Sequence, residues 1–487
     1  MSLNRRQFLH RTLRAGAIPV MAPPIFLGQT GARKLKAGAG TANITPPLGC
    51  SLAGGMSDRI ADEIHDELHA RALAFDNGET RVAICVVDSC AIPRDVFDRS
   101  KELVRQHLGI PASHLLLSAT HTHSAPPAGH LFQSLADEPY KAWMAVRIAD
   151  AVRLAFHRLE PARLGWGVGR EERLVFNRRW YMKPGHIPPN PFGQIDRVRM
   201  NPPAGSPELL RPSGPTDPDV GVLAVESLDG RPISVLGSYA LHYVGGGGGT
   251  HVTADYYGCW ADAMTRLSGL SGSTAFPPFV PILANACSGN INGVNFREKP
   301  KSYAPYERMR QYADILAAES YRTWRTLAYE DSVTLGASIE ELDLGVRLPS
   351  QTDVAAAKKT LASAVKEGDP PQYRDRDAIY ARETVLLSES YPKTARTPVQ
   401  ALRIGNMAIA TFPGEAFVEL GLEVKAKSPF KPTFLIELAN DYRGYLPTVE
   451  GHELGGYETW RAKSSYLEKE AAPKMVASAI RQLEKLA

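Results

Sequence analysis

The sequence predicts a mixed α/β (α+β) fold, built as a single large domain with long loops. Short β-branched runs have the composition of buried strands, and several longer stretches repeat apolar residues at three-to-four spacing. The two kinds of segment follow no regular βαβ repeat, which separates this chain from doubly wound or barrel folds.

In chain order, RVAICVVD (Arg81–Asp88) and HLLLSAT (His114–Thr120) read as strands, the second ending at His121. Glu138–Leu159 has the spacing of an amphipathic helix and is followed by a strand in ARLGWGVG. Gly and Pro dominate Met182–Pro218, predicting long surface loops. ISVLGSYALHYV predicts a strand ending near His242. The five glycines Gly245–Gly249 cannot form a stable helix or strand and predict a mobile loop; with no Gly-Lys-Ser/Thr behind them they are not a phosphate loop. Helical patterns return at Tyr306–Leu327, Thr352–Glu367 and Arg374–Ser388. VQALRIGNMAIATFPGE predicts a hairpin turning at Gly405-Asn406, and Leu467–Leu486 predicts a closing helix.

At 487 residues the chain can bury a substantial core, and 44% hydrophobic with 22% charged residues is ordinary for a globular protein. It contains no apolar run of about 18 residues, so no transmembrane span is predicted. The first 36 residues hold seven of the 56 Lys and Arg and none of the 52 Asp and Glu. The remaining body is therefore slightly acidic, without the basic stripe that nucleic-acid binding requires. Arg5-Arg6, then Phe8-Leu9 and a weakly apolar stretch to Leu27, have the layout of a twin-arginine export signal, predicting a periplasmic or extracellular protein. Five cysteines, an odd number without C-x-x-C spacing, argue against a thiolate zinc site and a disulfide framework and leave room for one bridged pair in an oxidising compartment. The division is residues 1–36 as signal and 37–487 as one domain, and the sequence carries no signature of a particular oligomeric state.

The chemistry-bearing residues each have two readings. His121-Thr122-His123 follows an apolar run, where residues two apart share a face and can supply metal ligands, or be two polar loop residues. His242 ends an apolar strand as a ligand or a hydrogen-bonded core histidine. Glu415 follows Pro413-Gly414 as a ligand or as a first-turn acid complementing a helix dipole. Tyr445 and Tyr457 lie in a Gly-rich segment as functional groups or packing aromatics.

Together these stretches resemble the neutral ceramidase family, zinc-dependent enzymes that hydrolyse the amide of ceramide. AGAGTANITPPLG resembles the family's opening strand and turn, SATHTHSAP its Thr-His-Thr-His-Ser block, FNRRW its Asn-Arg-Ser block, and FPGEAF its Pro-Gly-Glu block. YLPTVEGHELGGYE keeps the family's gap of twelve between two functional tyrosines. The resemblance runs from Ala37 to the C-terminus and is to the family's N-terminal catalytic domain only.

The resemblance implies a neutral-ceramidase-type fold with Zn2+ held by His121, His242, Glu415 and Tyr445. It makes His123 the proton-handling residue, and Arg178 and Tyr457 the groups holding the substrate carbonyl and its developing oxyanion. The family's catalytic serine position is occupied by Asn292 and its neighbouring aspartate by Asn290. A carboxamide exchanges hydrogen bonds but is no nucleophile, so Asn292 takes the serine's place without its chemistry. The expectation is an exported zinc hydrolase attacking an amide of N-acyl sphingosine or a related small-molecule or lipid substrate by activated water. A glycan-directed enzyme of the same fold is the alternative, because Trp180, Tyr181, Tyr457 and Trp460 stand near the site residues in sequence. A non-catalytic zinc- or carbohydrate-binding protein is the third reading.

Overall fold

The computed structural model describes residues 34–368 and 371–487; residues 1–33 of the expected export signal lie outside the described residues, whereas Leu35 is buried in the core and Lys36 opens the first strand, so the folded domain begins before the expected boundary at residue 37. Eight strands form the main sheet: β1 (Lys36–Asn43), β2 (His69–Asp76), β3 (Arg81–Val87), β4 (Leu115–Ala119), β5 (Glu160–Arg170), β6 (Asp219–Ser227), β7 (Pro232–Tyr239) and β8 (Val280–Asn285). Their spatial order is β8-β7-β6-β5-β1-β2-β3-β4. Only the two outermost pairs, β7/β8 and β3/β4, run parallel; the inner pairs are antiparallel. A second sheet, β9 (Leu335–Gly345), β10 (Thr394–Ile404), β11 (Met407–Thr411) and β12 (Thr433–Ile436), ends in a third parallel pair, β11/β12.

Alternation along these strands fixes the layers. Val82, Ile84 and Val86 of β3 join Leu402, Ile404, Ile409 and Phe434 of the second sheet in one core. Ala83, Cys85 and Val87 point the other way, into a core shared with α1 (Arg94–Leu108) and α2 (Glu138–His157). The β6–β8 half of that face is covered by α3 (Asp255–Leu267) and α4 (Glu307–Trp324), and the outer face of the second sheet by α6 (Ala471–Leu486). Helices thus flank two packed sheets. Helix α2 lies so close to β1 that a Cβ at Gly38 or Gly40 would stand 2.3 Å from a backbone oxygen of Ala155 or Ala151, so those positions are glycine.

Three parallel crossovers run through the fold despite the irregular sequence pattern: β3-α1-β4, β7-α3-β8 and, with α5 (Val418–Lys427), β11-α5-β12. Behind β12, residues Glu437–Asn440 join both edges of the main sheet. Glu437 N donates to Asn285 O of β8, while Asn440 N donates to Leu117 O and Ala119 N to Leu438 O on β4.

Several local expectations are corrected. Met182–Pro218 is not all loop: Arg179–Met182, Arg199–Met200 and Leu209–Pro212 form a small sheet. The strand before His242 stops at Tyr239, and the closing helix starts at Ala471 because Leu467 pairs in a bridge with Val346. The five glycines form a loop tied down by Asp255, which accepts from Gly245 N (2.8 Å), and by Arg59, which donates to Gly249 O (2.8 Å). The five cysteines are free thiols. Among the described residues no helix is long and apolar enough to cross a membrane.

Candidate metal centre and active site

The three parallel pairs of the two large sheets point their C-terminal ends at one place, the usual location of a site in sheets with parallel crossovers. Strand β4 delivers His121 and His123, β7 delivers His242, and Glu415 follows β11. The two histidines of His-Thr-His do not alternate on a strand as expected. β4 ends at Ala119, and His121 takes a left-handed backbone, φ 79°, that turns its ring toward the centre. Glu415 is not a helix first-turn acid either. It forms a two-residue strand with Ala416 that pairs in parallel with Tyr445–Leu446, setting Glu415 directly beside Tyr445.

The imidazoles converge by their Nε2 atoms. His121 Nε2 is 3.0 Å from His242 Nε2 and 3.1 Å from His123 Nε2, and Glu415 Oε2 is 3.3 Å from His121 Nε2 and 3.8 Å from His242 Nε2. Backbone carbonyls take the other ring edges: Cys90 O meets His121 Nδ1 at 2.6 Å, and Ser288 O faces His242 Nδ1 at 3.4 Å. A carbonyl on Nδ1 requires the proton there, leaving a lone pair on Nε2. His123 packs flat on Tyr243, ring centroids 3.6 Å apart.

Charge follows the same pattern. Burial disfavours a charged His121, yet Glu415 overrides it and holds the imidazole well above the usual histidine range. Burial and then His121 push both His123 and His242 well below that range. The cluster is built to hold positive charge at its centre. Burial alone would raise Glu415, but His121 and Arg178 hold its carboxyl low. Its Oε1 accepts from the Tyr442 hydroxyl at 2.9 Å, while its buried Oε2 has no hydrogen-bond partner.

Arg178 lies 3.4 Å from His242 Nε2 through Nη1, donates to Gly289 O (2.7 Å) through Nη2, and pairs through Nε with Glu458 (2.9 Å), which also binds Arg179 (2.8 Å). Its guanidinium lies 5.4 Å from the centre of the Tyr445 ring, and Tyr457 meets that ring edge-on at 5.6 Å. Burial and Glu415 push the Tyr445 phenol well above its usual range. A cavity of about 40 Å³ lies against His121, His123, Glu415, Tyr445 and Tyr457, and Leu131, Phe132, His130 and Lys463 line it further out.

The donor set fits a divalent cation. One atom each from His121, His242 and Glu415 lies within 4.8 Å of the others, all buried, with the oxygen unpartnered and the Nδ1 atoms already facing carbonyls. Cys90, His121 and His123 also fall within such a radius, but Cys90 Sγ approaches the Nδ1 edge of His121 (3.9 Å), away from Glu415.

Of the residues singled out from the sequence, His121, His123, His242, Glu415, Arg178, Tyr445 and Tyr457 are brought together. Asn292 is not: its amide donates to Asn201 Oδ1 (2.7 Å) and accepts from Val294 N (2.9 Å), outside the lining of the cavity. Its strand partner is Phe176, so it braces the segment that carries Arg178. Sequence reasoning missed Glu458, Tyr442 and Glu437. Glu458 directly follows Tyr457, and Glu437 is a lone acid behind the apolar run TFLI; those were the available signals. Glu437 accepts from Ser288 Oγ (2.7 Å) and Ala416 N (2.7 Å), one step from each of two site residues, and burial pushes its carboxyl up to about 8.

A two-sheet core flanked by helices, with histidines and a glutamate gathered at the ends of parallel strand pairs, defines a neutral-ceramidase-like fold. The chain is similar to the crystal structure of neutral ceramidase from Pseudomonas aeruginosa, with TM-score 0.69 and 17% identity over 93% of this chain and 74% of that one. A structure of ceramidase complexed with C2 is equally similar, TM-score 0.69 and 17% identity over 93% and 75% of the two chains. No family model matches the sequence.

Proposed function

We propose that this chain is an exported, zinc-dependent amide hydrolase. The observation that carries the reading is the convergence of His121 Nε2 and His242 Nε2 on the unpartnered Glu415 Oε2, inside a neutral-ceramidase-like fold. His121, His242, Glu415 and Tyr445 hold the zinc. Zinc held there supplies Lewis-acid polarisation of a carbonyl and acidifies water, so no serine is required for attack.

The chain's own groups do the rest. His123, kept neutral by burial and by its neighbour, is ready to accept a proton from water through Nε2 and pass it to the leaving nitrogen. Arg178, anchored by Glu458 and Gly289 O, offers donors to oxygen charge developing beside His242. Tyr457, which lines the same cavity, supplies a phenol as a second donor to that charge. Asn292 touches none of the reacting atoms and contributes by bracing the Arg178 segment. The expected location outside the cytoplasm rests on the sequence of residues 1–36.

Metal analysis of the purified chain tests the reading directly: about one zinc per chain, lost in His121→Ala together with amide hydrolysis, is the expected result. A wild-type protein that takes up no stoichiometric zinc overturns it.

A further inference from the structure

Directly after β12, Glu437 stands behind the metal centre, fully buried and outside the lining of the cavity. Its Oε1 accepts from Ser288 Oγ at 2.7 Å and from Asn285 Nδ2 at 3.1 Å, while Oε2 accepts from Ala416 N at 2.7 Å. One side chain thus joins two stretches of chain far apart in sequence.

Both stretches present groups to the centre. The peptide at Ser288-Gly289 turns Ser288 O toward His242 Nδ1 (3.4 Å) and Gly289 O to Arg178 Nη2 (2.7 Å). Glu415 and Ala416 form the short strand that sets Glu415 against His121 and beside Tyr445. The stretches also touch: Gly289 N donates to Ala416 O at 2.8 Å, and a Cβ at Gly289 would come within 2.3 Å of Glu415 O. At such contact a shift in one backbone is passed to the other. Burying a carboxyl group costs stability unless donors offset it, and the donors here are the groups on which the site geometry depends.

We propose that Glu437 is a positioning residue of the metal centre. Through Ser288 and Ala416 it sets the spacing of His242 and Glu415 and the aim of Arg178. The inference rests on the zinc-hydrolase reading above.

The test measures zinc affinity by competition with a chelator, and the visible absorption of the cobalt-loaded chain, in wild type, Glu437→Ala, Glu437→Gln and Ser288→Ala. Gln suits the same place: its oxygen accepts from Ala416 N and its amide donates to Ser288 Oγ. Asn285, whose Oδ1 has no hydrogen-bond partner, can turn to accept the second amide proton. Groups that support metal ligands are typically worth roughly 10–100-fold in affinity, so Glu437→Ala is expected to weaken zinc binding at least about tenfold and to change the cobalt spectrum. Glu437→Gln is expected to stay within about threefold of wild type with an unchanged spectrum, and Ser288→Ala, which loses one link, to fall between them.

Wild-type zinc affinity and spectrum in Glu437→Ala, whatever its urea midpoint, overturn the inference and leave the metal site standing. Equal losses in Gln and Ala also overturn it, because the effect then belongs to charge and not to hydrogen bonding. If Glu437→Ala does not fold, Ser288→Ala decides, and wild-type affinity and spectrum there overturn the inference. A wild-type chain that binds no zinc overturns the zinc reading and this inference together.

Discussion

His121 and His242 face each other through Nε2 atoms 3.0 Å apart, and each turns its Nδ1 to a backbone carbonyl. With both Nδ1 edges on carbonyls, the space between the two Nε2 atoms takes either the proton that Glu415 holds on His121 or a cation in its place. Zinc is therefore expected to stabilise the folded chain: at about 100-fold excess over Kd the gain is roughly 2.7 kcal/mol. Thermal melts with zinc and with chelator should differ by several degrees in wild type and coincide in His121→Ala. Coinciding wild-type melts would show that the cluster binds no zinc.

Gly54 has φ 105°, and a Cβ there would come within 2.4 Å of the His123 ring. Gly54→Ala is expected to displace that ring and lower kcat by about two orders of magnitude, the scale of losing a general acid/base, while the fold survives. Circular dichroism and turnover measured on the same preparation check this. Full activity in Gly54→Ala would mean that the position of His123 does not matter to the reaction.

Glu458 is fully buried between Arg178 and Arg179. Glu458→Ala leaves two buried guanidinium groups without their carboxylate and is expected to cost about 3–5 kcal/mol in urea unfolding. Glu458→Gln, which keeps hydrogen-bond acceptance, should cost less. Equal losses in the two variants would assign the effect to packing and not to charge.

Lys101 of α1 is buried and donates to Asn440 Oδ1 at 2.7 Å; burial brings its ammonium down to about 8 from 10.5. Between those values the unfolded chain binds the extra proton. Stability from this group therefore rises as pH rises from about 8 to 10.5, with a slope of up to about 1.4 kcal/mol per pH unit, and its full cost is present at neutral pH. Lys101→Met should remove that slope, so the difference between mutant and wild-type unfolding free energies should change across the window by up to about 1.4 kcal/mol per pH unit. Parallel curves across the window would show that Lys101 has no depressed pKa.

Element types were legible where periodicity was local. The hairpin at Gly405-Asn406 forms as the turn residues dictate, and the helix expected over Glu138–Leu159 runs Glu138–His157. The three crossovers were not legible, because the strand partners are separated by long inserts and a parallel pair leaves no turn signature. The site divides the same way. His121, His242 and Glu415 were found because motif order brought them together, whereas the Cys90 and Ser288 carbonyls that orient the imidazoles are backbone atoms without a residue signature. The expectation that strand alternation aims His121 and His123 failed at one dihedral angle, φ 79° at His121, which no pattern of apolar residues encodes.

The segment Glu437–Asn440, which bonds to β8 at Asn285 and to β4 at Leu117 and Ala119, also guards the main sheet. An open eight-stranded sheet has two borders where a foreign strand can add, and here one short stretch of chain occupies the ends of both. That stretch leads into the loop carrying Tyr442 and Tyr445, so loosening the site also bares strand borders. Damage to the centre should thus register as self-association of the chain while its helices and sheets are still formed.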